Sequence, residues 1–272
     1  MAGAPVQVIA HRGASFDYPE NTPAAFAAAL DQGCDGIELD LQLTRDRVPV
    51  VYHDRNLVRL ALPRRQVADL TLAELRARAA ASDLYGPSPD RSIATIDEVL
   101  ARFGHRTRLY LEVKTRERGA AGRLRHIELM QRTIAAVRAH SLQTRVSILS
   151  FDRELLDVCA RAAPELSRVL NVRPVAGDRR SDPAALLSSV PGGIAALSAD
   201  ISTLTPGYAA RVRAAGCPLL VFVCNEVEQV RVAVEAAAVG IMSDRPGWLR
   251  DVLAPSIISQ PPPVHEPRGE SA

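Results

Sequence analysis

Short apolar runs alternate with helical patterns along almost the whole chain. Residues 6–10, 36–41, 108–113, 145–150, 167–172, 194–199, 218–223 and 240–243 form runs rich in Val, Ile and Leu, bounded by polar or Gly/Pro segments, and they read as strands. Between them, residues 22–32, 122–140, 152–162, 183–188, 206–215 and 226–238 carry apolar side chains at helical spacing. Such alternation predicts a parallel sheet with crossover helices. Eight strands of this kind in about 250 residues fit one closed TIM (β/α)8 barrel better than an open, doubly wound sheet.

A ninth apolar run, 48–53, breaks the rhythm. Only Thr44-Arg45-Asp46-Arg47 separates it from the second strand, too little chain for a crossover, so it must return antiparallel as a hairpin. With Arg45 and Asp46 as a two-residue turn, Glu38 would face His53 and Asp40 would face Val51, about 5 Å away across the strands. Between this hairpin and the strand at 108–113 the connection is long, and Thr71-x-x-Glu74 and Thr95-x-x-Glu98 read as capping boxes opening two helices within it. Residues 55–94 are therefore expected to form a small lid inserted beside the barrel mouth, within one domain spanning 1–253. The tail, 254–272, contains Gln260-Pro261-Pro262-Pro263 and little that could join a core, so disorder is expected there.

The polar positions inside this pattern carry the chemistry. His11-Arg12-Gly13 closes the first strand and His53-Asp54 closes the hairpin; Glu38 and Asp40 share one face of the second strand, and Glu112 and Lys114 end the strand that follows the insertion. Barrel enzymes gather their reacting groups at these strand ends. Of 33 lysine and arginine residues, one is a lysine, Lys114. A compact ammonium is not interchangeable with a guanidinium fork at a tight site, which marks this position out.

Glu38, Asp40 and Glu112, with no cysteine beside them, make an oxygen-rich site suited to Mg²⁺ or Ca²⁺ rather than zinc. Two histidines at its margin can exchange protons near neutral pH. A metal, an acid–base pair and two cations together suit an anionic substrate that expels an alkoxide, and a phosphodiester answers that description.

Composition narrows the alternatives. The chain has 272 residues, 47% hydrophobic and 24% charged, with a net charge of +2 and no basic stripe or aromatic ladder that would suggest nucleic acid. Its apolar runs are too short for a membrane span, and no secretory leader pattern opens it. Cys34, Cys159, Cys217 and Cys224 lack C-x-x-C spacing and read as small buried thiols, so a cytoplasmic enzyme is expected. Neither a glycine-rich nucleotide loop nor a Gly-x-Ser-x-Gly elbow occurs. His105, His126, His140 and His265 read as exposed bystanders.

His-Arg-Gly at 11–13, Pro-Glu-Asn-Thr at 19–22, Gly-x-Glu-x-Asp at 36–40, His-Asp at 53–54 and Glu-x-Lys at 112–114 resemble, in order and spacing, the motifs of the glycerophosphodiester phosphodiesterase family. Thr71-Leu-Ala-Glu-Leu75, Ser150-Phe151 and Ser243-Asp-Arg-Pro246 extend the resemblance over roughly residues 7–250. It implies a barrel with a small insertion that hydrolyses small-molecule glycerophosphodiesters to glycerol 3-phosphate and an alcohol, with Mg²⁺ or Ca²⁺. It further implies His11 and His53 as the acid–base pair, Glu38, Asp40 and Glu112 as metal ligands, and Arg12 and Lys114 as phosphate-binding groups. Phe151, Phe222 and Asn225 are candidates for substrate contact. The chain departs from the family where Phe222-Val-Cys-Asn225 replaces Trp-Thr-Val-Asn, and where Ala94 stands for the proline before Thr95. Two other readings remain open: a related phosphodiesterase for lysophospholipids or another phosphodiester, and a non-catalytic phosphate-binding barrel.

Overall fold

Period-two alternation sorts the strand side chains into two layers. In β1 (Gln7–His11), Val8 and Ala10 belong to one buried cluster and Ile9 to another. The same split recurs in β2 (Gly36–Leu43), where Ile37, Leu39 and Leu41 join the first cluster, and in β4 (Arg108–Val113), where Leu109, Leu111 and Val113 do. That larger cluster also takes in helix residues such as Phe26, Leu100, Leu155 and Leu249, so it is the seam between sheet and helices. The second cluster (Ile9, Tyr110, Leu149, Val169, Ala196, Leu220 and Met242) is built from strand residues alone and lines the inside of the sheet. β2 contributes Gly36 at that level, because a Cβ there would meet the Tyr110 ring at 2.7 Å.

The computed structural model describes residues 5–175, 182–190 and 192–254. Its remaining strands are β3 (Pro49–Val51), β5 (Val146–Ser150), β6 (Ser167–Val172), β7 (Ala196–Asp200), β8 (Leu219–Phe222) and β9 (Gly240–Ser243). β1, β2 and β4 to β9 pair in parallel, and β1 bonds to both β2 and β9, so the sheet closes on itself as an eight-stranded TIM barrel. Around it lie α1 (Pro23–Asp31), α2 (Leu72–Ala80), α3 (Ile96–Phe103), α4 (Gly119–Ala139), α5 (Arg153–Ala162), α6 (Pro183–Ser188), α7 (Pro206–Ala214), α8 (Val227–Glu235) and α9 (Pro246–Leu253). α9 opens with proline at its first position, a start signal that the helical runs named above leave out.

The hairpin register is one residue away from the expected one. Leu41 pairs with Val51 and Leu43 with Pro49, and the Tyr52 N–H donates to the Asp40 carbonyl at 2.9 Å. The turn holds three residues rather than two: Arg47, at φ 65°, takes the left-handed conformation and its N–H donates to the Thr44 carbonyl. His53 consequently lies just beyond β3 and is not cross-strand from Glu38. While β4 holds one edge of β2, β3 continues along the other, the same edge as β1, beyond the point where β1 ends. The carbonyls of Glu38 and Asp40 project to that side, one accepting from the Arg12 N–H and the next from Tyr52.

Both capping boxes form. Thr71 and Thr95 accept from the N–H of Glu74 and Glu98, and each glutamate accepts from the backbone N–H of its threonine. The two helices they open belong to different layers. α3 packs on the barrel, with Phe103 edge-to-face against Phe26 of α1 at 5.6 Å. α2 instead helps bury a small separate core of Val50, Tyr52, Leu57, Leu60, Val67, Leu70, Leu75, Ala79, Tyr85 and Ile93. His126, expected at the surface, is buried on α4, where its Nε2 lies 2.7 Å from Glu117. His265 and the tail from residue 255 lie outside the described residues. No helix among the described residues is long and apolar enough to cross a membrane.

Candidate active site

Strand register gathers the acidic groups. β2 runs beside β4 so that Asp40 is level with Glu112, and beside β1 so that Glu38 is level with His11. All three carboxylates are buried, and each offers an oxygen within 4.8 Å of the others. They stand above the apolar interior cluster, at strand positions of the same parity as Tyr110 and Ile9.

Lys114, itself buried, ties two of them together. Its Nζ lies 2.8 Å from Asp40 Oδ1 and 2.6 Å from Glu112 Oε1. Arg12 approaches Asp40 from the other side, its Nε 3.2 Å from Oδ2, while Asn21 donates to the same oxygen at 2.8 Å. Burial works to raise the Asp40 carboxyl, but Lys114 and Arg12 outweigh it and hold that group below the usual carboxylate range. Glu38 responds in the opposite sense: burial, with the charges of Asp40 and Glu112, raises it well above its ordinary value. A buried carboxylate crowded by two others is what a divalent cation relieves. Lys114 is pushed down by burial and up by Asp40 and Glu112, and the acids prevail, so it remains an ammonium.

The histidines are held from behind. His11 Nδ1 lies 2.6 Å from Asp244 Oδ1, and its Nε2 is 4.0 Å from Glu38. Asp244 is fixed in turn by Ser15 Oγ at 3.0 Å and Asn225 Nδ2 at 2.7 Å. Burial works to raise Asp244, yet its bond to His11 and the flanking donors bring it down to about 2. His53 Nδ1 lies 2.9 Å from Asp54, whose carboxyl is lowered first by that bond. Arg116 anchors the His53 carbonyl at 2.8 Å.

The loop carrying His11 is tightly wound, with Arg12 at φ 58° and Gly13 at φ 85°. A Cβ on Gly13 would strike the Ala25 backbone at 2.7 Å, so only glycine turns the chain here toward α1.

Of the remaining expected residues, Phe151 and Phe222 meet edge-to-face at 6.1 Å, and Arg173 lies over the Phe151 face at 4.8 Å. Asn225 has its amide engaged within the protein: it donates to Asp244 and accepts from Ser243 Oγ and the Asp244 N–H. Its visible work is therefore to fix the partner of His11. Asn171, which the sequence reading passed over, donates to Glu112 at 3.2 Å. The signal was there, since Asn171 is a polar residue at an interior-facing strand position, in line with Val169.

The glycerophosphoryl diester phosphodiesterase family matches residues 11–248. The chain belongs to that family. It is 36% identical over 160 residues to a glycerophosphodiester phosphodiesterase of Caldanaerobacter subterraneus subsp. tengcongensis, covering 58% of this chain and 63% of that one. It is 28% identical over 243 residues to the uncharacterized protein YqiK of Bacillus subtilis, covering 88% and 95%. A solved structure of an Oleispira antarctica phosphodiesterase in complex with the product sn-glycerol-3-phosphate superposes with a TM-score of 0.75 at 27% identity, covering 91% and 96%. The family's enzymes hydrolyse glycerophosphodiesters and depend on a metal. Here Glu38, Asp40 and Glu112 form a buried acidic cluster fit for a divalent ion.

Proposed function

We propose that the chain hydrolyses glycerophosphodiesters such as glycerophosphocholine or glycerophosphoethanolamine to glycerol 3-phosphate and an alcohol, with His11 and His53 exchanging protons beside a divalent cation held by Glu38, Asp40 and Glu112. The observation that carries this reading is the meeting of three buried carboxylates, two cations and two carboxylate-backed histidines around one barrel mouth.

Mg²⁺ or Ca²⁺ held by the three acids would supply positive charge for the phosphoryl oxygens as the transition state develops. Arg12 and Lys114 complement it by attracting and orienting the anionic phosphate. Asp244 and Asp54 each engage a histidine Nδ1, which leaves Nε2 for proton transfer. One imidazole takes the proton of the attacking hydroxyl, and the other protonates the departing alkoxide. The nucleophile is either water or the substrate's own glycerol hydroxyl; the second route expels the alcohol to leave a cyclic phosphate, which water then opens to glycerol 3-phosphate. The edge-to-face pair of Phe151, just past β5, and Phe222, at the end of β8, would offer an apolar wall to the remainder of the diester.

A ³¹P NMR assay with both diesters, run with each cation, tests this reading. Glycerol 3-phosphate is the expected product, with a transient cyclic phosphate if the glycerol hydroxyl attacks first. No turnover of any diester with either cation would refute it. A second reading, action on lysophospholipids, is favoured by the exposed Phe16, Tyr18 and Phe151, and faster turnover of acylated substrates in the same assay would select it.

A further inference from the structure

Glu20, His53 and Asp54 each offer a ligand atom within 4.8 Å of the others, the spacing of a second metal site. A cation belonging to the chain already bridges the two carboxylates. Arg59 Nη1 lies 3.0 Å from Glu20 Oε1, and its Nε lies 2.8 Å from Asp54 Oδ2. The other oxygens of both acids are committed as well. Glu20 Oε2 accepts from Arg12 Nη1 at 3.0 Å, and Asp54 Oδ1 lies 2.9 Å from His53 Nδ1. Because Arg12 also reaches Asp40, an unbroken series of ion pairs runs from Asp40 through Arg12, Glu20 and Arg59 to Asp54, whose other oxygen meets His53 Nδ1.

Arg59 enters this chain from the inserted segment. It sits in the short 3-10 turn Val58–Leu60; Leu60 and the preceding Leu57 are buried in the small separate core. Both ends of the charge chain terminate on groups to which the proposed function gives roles. We propose that Arg59 is a positioning residue through which the inserted segment fixes the orientation of His53 and the placement of Arg12; this rests on the roles proposed above for those two residues. The fork is suited to the task because two edges of one planar guanidinium engage two carboxylates at once, which a lysine ammonium does not reproduce. Asp54, held by Arg59, presents a fixed oxygen to His53, and Glu20, held by the same group, does so to Arg12.

The test compares wild type, Arg59→Ala and Arg59→Lys in the full chain, with Arg102→Ala as a control, since Arg102 is ion-paired with Asp90 and stacked over Phe103, none of them in the site. Arg59→Ala should lower kcat at least tenfold, Arg59→Lys should fall between it and wild type, and millimolar guanidinium should restore part of the Arg59→Ala loss. Arg102→Ala should keep wild-type kcat. In ¹⁵N-histidine spectra, the His53 Nδ1 signal should move in Arg59→Ala while that of His11 stays in place, and this readout stands whether or not a diester is turned over. An unmoved His53 signal, or an Arg59→Ala kcat within twofold of wild type, would overturn the inference. A loss shared equally by Arg102→Ala and insensitive to guanidinium would also overturn it, reducing Arg59 to a stabiliser of the fold. Lack of turnover in the wild type alone would instead overturn the proposed function.

Discussion

His11→Ala and His53→Ala should each lower kcat for a glycerophosphodiester by about 10²–10⁴-fold, the contribution of one positioned proton-transfer group. The two losses should not multiply in the double variant, because proton removal and proton donation serve one reaction and the first loss already stalls it. Steady-state assays with glycerophosphocholine, alongside circular dichroism to confirm the fold, supply the measurement. Neither histidine belongs to the buried apolar clusters of the barrel, so the fold should persist in both variants. Wild-type rates in either variant would remove that histidine from the reaction.

A second large effect is expected from the carboxylates. Chelation should abolish turnover, and added Mg²⁺ or Ca²⁺ should restore it. Glu112→Gln should weaken cation binding at least about tenfold, since it removes one charged oxygen ligand from a set of three. A readout independent of activity is available in the melting temperature. A cation that binds only the folded protein stabilises it by about 2.7 kcal/mol at a hundred times its dissociation constant. Wild type should therefore melt higher with cation than with chelator, and Glu112→Gln should lose most of that difference. Equal melting curves in wild type, together with activity in chelator, would contradict the metal reading.

Local rules made much of this legible. Alternation at period two placed Glu38 and Asp40 on one face, and the structure confirms that both are buried on the side away from the helix-facing Ile37, Leu39 and Leu41. The strand–helix rhythm led to the closed barrel, and threonine–glutamate spacing located α2 and α3. The hairpin register escaped because the turn depends on Arg47 entering the left-handed region, and nothing in the residue type announces that. His126 was misplaced by residue type, since it precedes Leu129 and Met130 by one helical turn on the buried face of α4 and pairs there with Glu117.

Partnerships between distant segments were out of reach altogether. Asp244 lies 233 residues from His11, and Asn171 lies 59 from Glu112. Arg59 is one arginine among many, and its significance comes only from the two carboxylates that the fold brings to either side of it. Spacing reports which face a residue takes. The partner it meets across the mouth is set by barrel closure.

The most direct test of the account is a crystal grown with Mn²⁺ as a stand-in cation and measured at the manganese absorption edge. The account predicts an anomalous peak among Glu38, Asp40 and Glu112. A peak at Glu20, His53 and Asp54 instead, or none in a preparation whose activity survives chelation, would contradict it.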